Sequence, residues 1–67
     1  MFGTIKKIVK DKGFGFIIPD DGTEEVFFHR SKLYPKVQFD DLREGNEVQF
    51  EVRPGDKGPQ AFNLRLR

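Results

Sequence analysis

A chain of 67 residues has room for one small domain with a thin core, spanning residues 1–67. It has no cysteine, which excludes disulfide staples, and no apolar run near the roughly 18 residues that cross a bilayer as a helix. Net charge is only +1, but the charges are segregated, so a basic and an acidic face remain compatible with near-neutrality.

Residues 1–18 carry Lys6, Lys7, Lys10 and Lys12 against Asp11 alone. Residues 40–51 carry Asp40, Asp41, Glu44, Glu47 and Glu51 against Arg43. Residues 53–67 turn basic again with Arg53, Lys57, Arg65 and Arg67 against Asp56. The opening "MFGTIKK" lacks the apolar stretch of a signal peptide, and a soluble cytoplasmic protein is the expectation.

In chain order the pattern is one of short strands cut by turn signals, which points to a small all-β sandwich or barrel. The first strand is "FGTIKKIV", residues 2–9; its adjacent Lys6–Lys7 and Ile8–Val9 pairs break the alternation and leave room for a bulge. "KDKG" turns the chain into "FGFII", residues 14–18, and "PDDGT" turns it again into "EEVFFH", residues 24–29. A long stretch follows, with one helical turn expected at 31–33 and stopped by Pro35. The fourth strand is "EVQFEVR", residues 47–53, and the fifth is "QAFNLRLR", residues 60–67.

Period two assigns the faces. Val48, Phe50 and Val52 form an inward row, as do Phe62, Leu64 and Leu66, and Val26 and Phe28 join them. With Ile5, Ile17 and Leu33 these fill a core of this size. Phe14, Phe16, Phe27 and His29 are therefore not needed inside. If the second and third strands pair as a hairpin, the four form one exposed patch bordered by lysines. Large exposed apolar patches mark binding sites. Flat rings beside cations suit unpaired nucleobases, which stack on the rings while phosphates meet the lysines.

Other chemistry finds little support. The single histidine, in a chain without cysteine, cannot anchor an ordinary zinc site. The acids of "DDGTEE" lack the alternating spacing of a calcium loop. Ser31 has only His29 nearby as a base and no third partner in the pattern. The expectation is no enzyme, no cofactor and no small-molecule substrate.

"KGFGFI" at 12–17 and "VFFH" at 26–29 resemble the two ribonucleoprotein motifs of the cold-shock domain family. "GTIK" at 3–6, Phe39 before "DDLREG", and "GPQAFN" at 58–63 extend the likeness over nearly the whole chain. The resemblance implies a five-stranded antiparallel barrel of the oligonucleotide-binding type. It also implies binding of single-stranded RNA and DNA with little sequence preference, and an RNA-chaperone role. Stacking by Phe14, Phe16, Phe27, His29 and Phe39 follows from it, with Lys6, Lys12 and Lys57 near the backbone and Gln60 and Asn63 able to hydrogen-bond bases. The chain departs from the family at three places. Lys7 stands where Trp is usual, Ile8 where Phe is, and Arg30 where another aromatic is common. Arg30 can still stack through its planar guanidinium, and Lys7 cannot. Two readings remain open: a single-strand binding protein with a larger share of phosphate contacts, or a protein-interaction module on the same barrel. A monomer is expected, with a strand-swapped dimer allowed.

Overall fold

The computed structural model describes residues 1–56 and 58–67. Five strands carry the fold: β1 (Phe2–Val9), β2 (Phe14–Pro19), β3 (Val26–His29), β4 (Glu47–Gly55) and β5 (Gly58–Leu66). They close into a barrel in the order β1-β2-β3-β5-β4, with β4 returning to β1. The β3–β5 seam is parallel and the others are antiparallel. Parity requires this. A ring with an odd number of strands cannot alternate direction all the way round, so one seam has to be parallel. The connection between β3 and β4, which carries two single 3-10 turns at Arg30–Lys32 and Phe39–Asp41, makes the crossing possible. The first turn lies one residue earlier than the sequence pattern places it, and the second falls where that pattern gives only loop.

The interior contains Ile5, Ile17, Val26, Phe28, Leu42, Val48, Phe50, Ala61 and Leu64, each at most 2% exposed. Leu33, Val37, Phe39 and Ile8 pack partly against this cluster. Leu42 is the unforeseen member: it comes from the long connection, which strand alternation does not describe. Three residues expected inside are not core. Val52 and Leu66 are 37% and 45% exposed, and Phe62 is half-buried. For Val52 the reason is the end of the barrel: β4 pairs with β1 only through Glu47–Gln49, so farther along it has only β5 as neighbour. For Phe62 the reason is a bulge. Between the pairs Gln49–Arg65 and Glu51–Phe62, β5 advances one residue more than β4, and Asn63 takes φ 52° to accommodate it. Strict alternation is interrupted there. Ala61 and Leu64, three apart, both point inward, and Phe62 moves to the outer face.

A second bulge lies in β1. Ile5 opposes Ile17 and Lys7 opposes Phe16, which leaves Lys6 as the extra residue. The irregular Lys6–Lys7 pattern in the sequence has its origin here. The hairpin turn between β2 and β3 closes with the Gly22 amide donating to the Pro19 carbonyl at 3.1 Å, with Gly22 at φ 78°. The Asp21 carboxylate accepts from the Thr23 hydroxyl at 2.7 Å and from the Thr23 amide at 3.1 Å. These bonds, the hydroxyl's first, hold the Asp21 pKa below its ordinary value of 3.8.

Two expectations follow. A Cβ on Gly15 would stand 2.5 Å from the Lys7 carbonyl oxygen and 2.6 Å from the Phe28 ring. Both neighbours are fixed, so Gly15→Ala should cost about 1–3 kcal/mol in urea unfolding; a loss under about 0.5 kcal/mol would show that the interior has slack. For Asp21, a lowered folded pKa means that its contribution to stability is present above pH 3.8 and is lost as pH falls through the folded value. Replacing the hydroxyl by a methyl in Thr23→Val should raise the Asp21 pKa in a carboxyl NMR titration, and an unchanged titration would rule the hydroxyl out as the cause.

Candidate nucleic-acid interface

Residues directly opposed across paired strands share a face. The registers oppose Lys7 to Phe16, Phe16 to Phe27, Phe27 to Gln60 and Gln60 to Arg53. One outward row therefore crosses all five strands: Lys7, Phe16, Phe27, Gln60, Arg53. Val9, Phe14 and His29 form the neighbouring row. Alternation in burial confirms the faces. Gly15, Ile17, Val26 and Phe28 are buried, whereas Phe14, Phe16, Phe27 and His29 are half-exposed. The interior at this level is occupied by Phe28, whose ring fills the space where a side chain at Gly15 would begin.

The three outer phenylalanines form one cluster. Phe14 and Phe27 have centroids 5.5 Å apart at 35°, Phe16 and Phe27 5.9 Å at 67°, and Phe14 and Phe16 5.8 Å at 81°. Each ring supports the next while one side remains open, so a flat ligand meets ordered rings rather than free rotors. His29 is also fixed. Its Nδ1 accepts from the Ser31 amide at 3.2 Å and lies 2.9 Å from the Ser31 hydroxyl, capping the 3-10 turn that starts at Arg30. A cleft of about 330 Å³ runs from Phe27 and Gln60 to Gly55, Asp56 and Gly58.

Cations border the rings. Lys7 heads the Phe16 row from β1. Lys12 belongs to the β1–β2 turn, which is tied to the 3-10 turn by the Arg30 amide donating to the Gly13 carbonyl at 2.8 Å. The Arg30 side chain lies over Gly13, with its Cδ 2.8 Å from where a Cβ would stand. Lys6 donates to Glu25 at 2.6 Å, an exposed pair that a phosphate can displace at little cost. Among the described residues, Lys7, Lys12 and Arg30 form no ion pair. The expectation for Lys57 falls outside the described residues.

Two other expected residues, and one of the departures from the family pattern, sit apart from the ring cluster. The Phe39 ring lies 6.3 Å from the Phe28 ring and packs partly against the core. The Asn63 amide donates to Glu51 at 2.9 Å across the β5 bulge. Ile8 opposes Gly15 and packs partly on the core, so the departure there changes the interior and not the ring face. Phe62, which the sequence reading placed in the core, and Arg53, which it named only among the C-terminal cations, stand on the outer face. Asn63 was the available signal, because asparagine tolerates a positive φ and so permits a bulge.

A family model described as the 'Cold-shock' DNA-binding domain matches residues 1–66. The chain belongs to the cold-shock domain family. It is 45% identical over 62 residues to cold shock-like protein CspC of Buchnera aphidicola, covering 92% of this chain and 88% of that protein. It is 42% identical over 64 residues to cold shock-like protein CspG of Escherichia coli, covering 96% and 90%. Its backbone superposes on Drosophila Unr CSD456 with a TM-score of 0.78 at 24% identity. That match takes in 98% of this chain and 26% of the Unr chain, and it shows the same fold.

For a cold-shock domain the position of Lys7, directly beside Phe16, is where the family usually adds a Trp ring. Lys7→Trp should therefore extend the cluster by one stacking position. Affinity for oligothymidine should rise about fivefold or more, and the salt slope should fall by about 0.7 as one phosphate contact is lost. The new indole is the chain's only Trp and reports stacking by its own quenching. Unchanged affinity with no quenching would mean that bases do not reach this flank.

Proposed function

We propose that this cold-shock domain binds unpaired RNA and DNA strands with low sequence specificity and acts as a nucleic-acid chaperone. Bases stack on Phe14, Phe16, Phe27 and His29, and phosphates meet Lys6, Lys7, Lys12 and Arg30. The observation that carries this reading is the cluster of three half-exposed rings within 5.9 Å of one another, on an outer face with a cationic border. Such a surface accepts any base, since every base has a π-face, and it accepts only strands whose bases are unpaired. It asks nothing of ATP. Binding that takes only the open strand shifts a hairpin equilibrium by mass action.

Stacking contributes about 1–3 kcal/mol per base, so a few rings suffice for micromolar affinity near −8 kcal/mol. With a lysine in place of one ring, electrostatics takes a larger share. For about four phosphate contacts on a single strand, log affinity should fall with a slope of about −3 against log salt concentration.

An anisotropy titration of fluorescent oligothymidine tests the proposal. Micromolar or tighter binding at low salt should weaken about 5- to 150-fold in Phe16→Ala and in Phe27→Ala, with thermal unfolding showing the fold retained. Absence of saturable binding by the unaltered chain, or indifference to both substitutions, would overturn it. A salt slope near zero would remove the electrostatic half of the argument while leaving the stacking half.

A further inference from the structure

We propose that Phe62 and Arg53 form an additional base-stacking position on the β5 side of the ring face. Its occupant is an unpaired nucleobase at one end of a strand already lying on Phe14, Phe16 and Phe27. The inference rests on the reading given above and deepens it.

The argument begins with the β5 bulge. Asn63 at φ 52° interrupts the alternation, so Phe62 leaves the interior for the outer face. β3 and β5 run parallel with Phe27 opposite Gln60, and His29 and Phe62 each lie two residues farther on. Phe62 thus continues on β5 the row that Phe14 and His29 occupy on β2 and β3. Arg53, opposite Gln60, ends the neighbouring row that contains Phe16 and Phe27. The two residues meet at the border of the interface: the Arg53 guanidinium carbon sits over the Phe62 ring, 3.9 Å from its centroid.

A guanidinium carbon 3.9 Å from a ring centroid is within cation–π range, and Arg53 is exposed to solvent. Nucleobases stack on arginine planes as they do on aromatic rings, and the ring beneath keeps that plane in place. A cleft of about 190 Å³ beside the pair is lined by Ser31, Lys32, Leu33, Arg53, Phe62 and Asn63. Among the described residues neither Lys32 nor Arg53 is in an ion pair, so both remain available to an adjoining phosphate. Continuity with the ring face, an ordered planar cation and a free lysine together fit a nucleotide rather than an apolar side chain.

Two oligothymidines separate this position from the ring cluster: one of about four nucleotides, which the cluster accommodates, and one of about eight. The readout is the ratio of the long strand's affinity to the short one's. Phe62→Leu keeps the apolar bulk and removes the ring. Arg53→Lys keeps the charge and removes the plane, while the Phe62 ring itself stays in place. Each should lower the ratio about fivefold or more, and Arg53→Lys should do so with an unchanged salt slope. A ratio within twofold of the unaltered chain's in both variants, while Phe16→Ala still weakens both strands, would overturn this proposal and leave the ring cluster standing. Failure of the unaltered chain to bind either strand would overturn both.

Discussion

The outer ring face exists because the interior is already occupied where the rings attach. Phe28 is fully buried, and its ring reaches to within 2.6 Å of the point where a Cβ at Gly15 would stand. No side chain larger than hydrogen fits at residue 15, and the Lys7 carbonyl closes the remaining space. With the inward position of β2 reduced to glycine, β1, β2 and β3 come close enough to seal that side of the barrel. The aromatic residues before and after the glycine can then only point out. Gly15 and Phe28 together are thus the structural reason that Phe14, Phe16 and Phe27 are available to a ligand. The desolvation that would normally drive three phenylalanines inward is offset in part by their contact with one another.

Charge placement follows the same logic of faces. The cations of β1 and of the β1–β2 turn come to the ring side because β1 is the neighbour of β2. Arg53 arrives from the far edge because β4 closes the ring through β5. The acids are divided. Glu47 faces Arg67, Glu51 holds Asn63, and Glu44 accepts from the Ile8 amide at 3.2 Å. Others lie at the border of the rings: Glu25 pairs with Lys6, Asp56 lines the cleft beside Phe27, and Glu51 stands opposite Phe62. A net charge of +1 therefore conceals a surface whose local sign changes across the barrel. Local field, not net charge, is what a phosphate within about 10 Å experiences.

Much of this was legible in the sequence. The strand count, the outward Phe14, Phe16 and Phe27, and the pairing of β2 with β3 all follow from period two and the turn residues, because a two-residue repeat and a tight turn are local properties. The family resemblance added the barrel closure. What alternation could not supply was any change in its own phase. Phe62, Leu64 and Leu66 read as one continuous inward row until the extra residue at Asn63 divides it. Leu42 was invisible for a different reason: its burial depends on how a 17-residue connection, residues 30–46, folds over the barrel end, which no periodic signal encodes. Phe39 shares that origin, and its contact with Phe28 is a property of the folded connection.

The two bulges also bear on how the surface as a whole is composed. In β1 the extra residue Lys6 lets two consecutive lysines serve the same border, one in register with Phe16 and one reaching Glu25. In β5 the extra residue brings Phe62 outward beneath Arg53. One bulge thus enriches the β1 flank in charge, and the other enriches the β5 flank in planar surface. The position that carries a Trp ring in the usual family pattern is a lysine here, so the β1 flank presents an ammonium group in place of a ring. The opposite flank offers a ring and a guanidinium. The two changes shift the planar side chains round the barrel, from β1 towards β5, about a centre of Phe14, Phe16 and Phe27. That displacement requires no new element and no longer loop. It needs only a residue tolerant of positive φ at position 63, since an inserted residue in one strand of a closed barrel exchanges which side chains face the solvent while leaving the ladder on either side intact.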